Sequence, residues 1–134
     1  MVDTGRQLRE RSFAFALCIV KMTRCLNEDK REWILSRQIL KSGTAIGANI
    51  RESVFAQSTP DFISKLSIAL KEASETQYWL ELLSGAKLLN EKQFSSLKNE
   101  VDWLVGTLVN VIKSNKRKLK SGMGVSAGYI SPNA

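Results

Sequence analysis

The sequence predicts an all-α protein, an up-down-up-down four-helix bundle with left-handed crossing. Three observations lead there. Apolar residues recur at alternating spacings of four and three in four separate segments, as one face of a helix requires. The breaks between segments are short and carry capping or stop residues. No strand-like alternation of useful length competes. The first helix is expected over about 6–26, its stripe being Leu8, Ser12, Phe15, Ile19, Met22 and Leu26, with the charged stretch Asn27 to Glu32 as a turn. The second, about 33–56, carries Leu35, Ile39, Gly43, Ile46, Ile50 and Val54. In Ser58-Thr59-Pro60-Asp61, Thr59 reads as an N-cap, Pro60 as the first helical residue and Asp61 as a complement to the dipole. The third helix, about 60–83, presents Phe62, Leu66, Ala69, Ala73, Thr76, Leu80 and Leu83, and Ser84-Gly85 stops it. Asn90 caps the fourth, about 91–118, with Gln93 at the capping-box position and a stripe of Phe94, Leu97, Val101, Leu104, Leu108 and Ile112. Spacing near 3.5 gives the shallow left-handed crossing. Residues 1–120 are thus expected to form one bundle, and 121–134, small and polar, a flexible C-terminal tail.

Composition narrows the function. A chain of 134 residues, 43% hydrophobic, has material for one core. No apolar run is long enough to span a bilayer, and the first residues lack a secretory leader's apolar block. Cys18 and Cys25 lie one heptad apart on one helix, about 10 Å, too far for a disulfide, and read as reduced thiols in a cytoplasmic protein. There is no histidine, no Cys-x-x-Cys, and no glycine-rich phosphate loop or nucleophile elbow. No enzyme, cofactor or metal is therefore expected. The net charge of +7 is uneven: residues 1–112 hold 15 basic and 13 acidic groups, and the other five cations are Lys113, Lys116, Arg117, Lys118 and Lys120.

Some apolar residues fall where a monomeric bundle does not need them. At 100° per residue, Phe13, Leu17 and Val20 form a second stripe on helix 1, opposite Phe15 and Ile19. Trp33 and Phe55 on helix 2, Tyr78 and Leu82 on helix 3 and Trp103 on helix 4 also point away from the core. Single surface hydrophobes are ordinary, but a second stripe with outward aromatics on three other helices predicts an oligomer interface. A polar strip lies beside the core: Ser42, Asn49 and Ser53 on helix 2, Lys65 and Glu72 on helix 3. It reads as a satisfied network fixing helix register or subunit contacts; an acid/base site built on Lys65 and Glu72 is the other reading. The small-sided run SGTAIGANI, with Gly43 and Gly47 inside the helix, favours close helix approach over phosphate binding.

The stretches RSFAFALCIVKM, SRQILKSGTAIGANIRES and DFISKLSIALKEASETQYWLELL make the chain, from Arg11 to about Lys113, resemble the four-helix-bundle proteins encoded in intervening sequences of bacterial 23S ribosomal RNA genes. The resemblance implies a bacterial protein and a homo-oligomer, a pentamer, with a basic surface. A related branch, the accessory variability protein of diversity-generating retroelements, binds reverse transcriptase and nucleic acid; no residue ties this chain to that branch. The segment after Lys120 has no counterpart in the family. Together these readings predict a non-catalytic homo-oligomeric scaffold that binds RNA or DNA weakly, without sequence preference, through Lys113, Lys116, Arg117, Lys118 and Lys120. The alternative is a protein-interaction adaptor whose partner covers the outward aromatics, with no nucleic acid involved.

Overall fold

The computed structural model describes residues 3–122. Of the expected flexible tail, only Ser121 and Gly122, which form a turn, belong to the described residues; 123–134 lie outside them. Four helices follow one another: α1 (Thr4–Asp29), α2 (Ile34–Ser53), α3 (Thr59–Gly85) and α4 (Glu91–Lys120). Each packs on its sequence neighbour, and α1 meets α4 to close the ring, that seam being the loosest. Pairings run antiparallel. Along α1 and α2, Ser12 faces Gly47, Ile19 faces Gly43, and the Ser36 hydroxyl donates to Asn27 Oδ1 at 2.6 Å. Along α2 and α3, Lys65 lies by Glu52 and Thr76 by Ser42. This is the up-down-up-down bundle that the periodicity predicts.

The helix ends follow from local hydrogen bonding. Asp3 caps α1 by accepting from the Arg6 N–H, so the helix starts before Arg6. It also runs on through Asn27 to Asp29, and Arg31 then turns the chain with φ 52°. Ser58, not Thr59, caps α3: its hydroxyl accepts from the Asp61 N–H, and Thr59 is buried inside the first turn. Gly85 does not stop α3 either. It is the last helical residue, and Lys87 takes the left-handed position (φ 61°), where its N–H donates to the Ser84 carbonyl while the Leu88 N–H donates to that of Leu83. Asn90 and Gln93 form the reciprocal capping box on α4.

The core is one contiguous cluster that draws on every stripe. Phe15 and Ile19 of α1, Ile39 and Ile46 of α2, Phe62, Leu66, Leu80 and Leu83 of α3, and Val101, Leu104 and Leu108 of α4 are almost wholly shielded. Gly43 lets α1 and α2 approach: a Cβ there would sit 3.0 Å from Ile19 Cγ1. Close approach of these two helices shapes the surface between them.

Candidate nucleic-acid interface

α4 continues as a regular helix to Lys120, about two turns beyond Ile112. Leu108, Val111, Ile112 and Asn115 are buried on one side of it. Lys113, Lys116, Arg117 and Lys120 fall within an arc of about 100° on the opposite side and are all exposed. Lys118 lies off that stripe and is half-buried. None of the five forms an ion pair among the described residues, and no carboxylate follows Asp102 within them. The helix C-terminal dipole favours cations here, but a dipole of about half a charge is already answered by one or two of them.

A second basic surface lies along α1 and α2. Between them opens a groove of about 490 Å³ lined mainly by apolar atoms. Ala16, Gly47 and Ala48, with Ser12 and Thr44, line it; Phe13 and Phe55 stand at it 55% and 79% exposed; Arg9 and Arg51 also border it. Glu52 borders it too and pairs with Lys65 at 3.7 Å. Arg9 and Arg51 have no ion pair among the described residues. Residues 11–27 contain no acid, and neither do residues 33–51. Taken as a sum, residues 1–112 look neutral. Helix by helix they are not: α1 and α2 carry eight basic and four acidic groups, whereas α3 carries Lys65 and Lys71 against Asp61, Glu72, Glu75 and Glu81. That segregation was readable in the sequence, but only by summing charge over each helix instead of over the body.

The outward apolar residues are placed as follows. Phe13, Leu17, Trp33, Phe55, Tyr78 and Leu82 are exposed and Val20 is half-buried. Trp103 differs from its reading as an outward aromatic. It is half-buried, with the Arg11 guanidinium 3.8 Å from its ring centroid, and the same guanidinium holds Glu100 at 3.1 Å. The cation covers the indole, so this face of α4 is already occupied within the chain. Ile34 and Ile68, exposed, belong to the outward apolar set as well and fall outside the stripes read from sequence.

The polar strip does not assemble as one network. Ser42 is buried and accepts from the Thr76 hydroxyl at 2.9 Å, a bond that joins α2 to α3. Thr76 falls within the apolar stripe of α3 by spacing, and its hydroxyl is the partner that Ser42 finds across the seam. Asn49 and Ser53 donate to their own helix, to the carbonyls of Ala45 and Ile50. Lys65 turns to Glu52 rather than to Glu72, because Glu52 lies directly across the α2–α3 seam. Lys65 and Glu72 therefore form no ion pair. The polar groups satisfy themselves locally, which is what burial demands of them. Among the described residues no group of three or more histidine, cysteine, aspartate or glutamate residues is placed to hold a metal ion, and no helix is long and apolar enough to cross a membrane. Cys18 and Cys25 are free and exposed.

The chain's similarities to known proteins follow its helical body. A family model described as 23S rRNA-intervening sequence protein matches residues 6–110. Among the solved structures that match is a protein of unknown function from the S23 ribosomal protein family of Bacteroides thetaiotaomicron. It is 44% identical, with a TM-score of 0.81, over 82% of this chain and 98% of that one. No curated protein matches. The family match contains the α1–α2 groove and ends before Lys113.

Proposed function

The chain belongs to the 23S rRNA-intervening sequence protein family, and from that premise we propose that it is a non-catalytic, homo-oligomeric scaffold that binds RNA or DNA weakly and without sequence preference. The observation that carries this reading is the solvent-facing stripe of Lys113, Lys116, Arg117 and Lys120 on the regular end of α4, with Lys118 beside it and no carboxylate to neutralise any of them among the described residues. Cations arranged in this way bind phosphates as point charges and read no bases. The exposed Leu17, Tyr78 and Leu82 support self-association, since their burial between copies removes apolar area from water. Assembly, which in this reading makes a pentamer in the cytoplasm, multiplies the cationic stripes on one particle, so that individually weak contacts act together.

The test is titration of a labelled single strand against salt, with particle mass measured in parallel by light scattering. If all five side chains contact phosphate, changing them to Gln should flatten the slope of log affinity against log salt by about 3.5 for single strands, with the particle mass unchanged. A neutralised protein that binds equally well at every salt concentration would overturn the phosphate role of α4. A wild-type protein that runs as a 15.0 kDa monomer would overturn the scaffold. The exposed aromatics Trp33 and Tyr78 favour one other reading, a protein-interaction adaptor that binds no nucleic acid. It gains if the assembly forms but retains no strand at low salt.

A further inference from the structure

We infer that the groove between α1 and α2 is a base-stacking site for single-stranded nucleic acid, with Phe13 and Phe55 as the stacking platforms and Arg9 and Arg51 as the phosphate contacts. The inference rests on the nucleic-acid reading above and adds to it a second surface with a different chemistry. Sequence-independent binding of single strands requires a cationic track for the backbone and aromatic faces for successive bases. Both are present here. Phe55 is 79% exposed and Phe13 55%, a costly placement for two rings unless something covers them. The groove, about 490 Å³, is also lined by the small Ala16 and Ala48 and has room for a planar group.

The cations extend beyond the groove. At 100° per residue, Arg9, Phe13 and Arg24 share one face of α1, and Arg37, Lys41, Ala48 and Arg51 share one face of α2. Arg9 to Arg24 is about 22 Å along the axis. None of these cations is in an ion pair among the described residues.

The competing occupant is a second copy of the chain, presenting the exposed Tyr78 and Leu82 of α3. Charge decides against it. The outward part of α3 offers Glu75 and Glu81, with Lys71 between them in angle, and Glu75 already accepts from the Trp79 indole at 3.1 Å. Arg9 and Arg51 border the groove itself, where Glu52 is already paired with Lys65, and with Arg24, Arg37 and Lys41 beyond it the five unpaired cations outnumber those two carboxylates. A polyanion can answer them, and the aromatic rings beside the cations fit its bases.

The experiment measures anisotropy of a labelled oligothymidine, an abasic strand of equal length and a duplex, with light scattering on the same samples. Phe13→Leu with Phe55→Leu keeps apolar bulk and removes the aromatic faces. This variant should bind oligothymidine about tenfold or more weakly, bind the abasic strand as before and keep its salt slope, while Phe→Tyr at both positions restores binding. Unchanged oligothymidine binding by the leucine variant overturns the inference, as does a fall in particle mass with binding per protomer unchanged, which makes the groove a subunit contact. If the α4-neutralised protein loses binding while the leucine variant does not, the inference fails and the scaffold reading stands. If the wild-type protein binds no strand at low salt, both fail.

Discussion

Gly43 is where the bundle's geometry is most sensitive to one methyl group. A Cβ at that position falls 3.0 Å from Ile19 Cγ1 and 3.1 Å from Cγ2, and Ile19 is fully buried, so it has nowhere to turn. Two effects oppose each other in Gly43→Ala. The helix gains about 0.8–1.0 kcal/mol of propensity, and the α1–α2 seam loses about 1–3 kcal/mol to overpacking. Gly106→Ala on α4 isolates the first effect, because nothing lies within 4 Å of its Cβ. That variant should be more stable than wild type by about 1 kcal/mol, and Gly43→Ala less stable than Gly106→Ala by about 1–3 kcal/mol. Urea unfolding at one fixed protein concentration reads both as midpoint shifts at constant slope. Ile19→Ala removes the two contacting carbons, so Gly43→Ala should become stabilising in that background, with a coupling of about 0.5–3 kcal/mol. If Gly43→Ala stabilises the wild-type protein as much as Gly106→Ala does, the close approach of α1 and α2 is not tight, and the reasoning fails.

Two further outcomes test the rest of the fold. Leu66→Ala and Leu104→Ala, at fully buried positions, should each cost about 2–5 kcal/mol. Leu82→Ala, at a position 38% exposed, should cost much less once the protein is dissociated; equal losses for all three in denaturant unfolding would contradict the phase of α3. Asp102 links α4 to α3. Burial works against its charged form, but hydrogen bonds from Lys98 Nζ and Gln77 Nε2, together with the Lys98 charge, outweigh that and hold the carboxyl below its ordinary value. A depressed folded-state value means that the contribution is present above the ordinary carboxylate range and is lost as pH falls through the folded value. Asp102→Asn should therefore lose less stability than wild type on acidification below about pH 4. Melting curves between neutral and acid pH that stay parallel would remove Asp102 from that account.

The four stripes were legible because a helix buries one face, and burial selects for apolar residues at its period. Phe15, Leu66 and Leu104 needed no partner to be placed. Helix ends were less legible because several residues competed for each cap. Ser58 and Thr59 both carry a hydroxyl, and only the backbone decides which oxygen meets the Asp61 N–H. Lys87 could not be found from its type, since the left-handed turn after Gly85 is held by two backbone bonds and not by a glycine. Trp103 was misplaced for a different reason. Angle alone puts it outward, and only the loose α1–α4 seam brings Arg11 over its ring. Likewise Lys65 and Glu72 share a face at a spacing of seven, but Lys65 is drawn across the helix seam to Glu52.

The charge pattern needs an explanation from outside the fold. Exposed ion pairs contribute about 0–1 kcal/mol and are screened beyond about 10 Å at 0.1 M salt, so folding is nearly indifferent to how surface charges are distributed by sign. Indifference does not segregate them, yet α1 and α2 are basic where α3 is acidic. The helix dipole sharpens the point. It favours acids in the first turn of a helix and cations in the last. On α4 the cations obey it, and one or two of them already answer the dipole. On α1 and α2 they follow it only in part: Arg51 stands in the last turn of α2, but Arg6 and Arg37 stand near the N-termini, where Asp3 and Glu32, just outside the helices, each accept from a backbone N–H. Arg6 is compensated by Glu10 at 3.1 Å, but Arg37 has no ion pair among the described residues, and neither has Arg9, one turn beyond Arg6. Cations that local electrostatics oppose and that no carboxylate answers are not maintained by the stability of the helix. In the proposed nucleic-acid reading they meet a polyanion in solution, and the two uncovered phenylalanine rings beside them would take its bases.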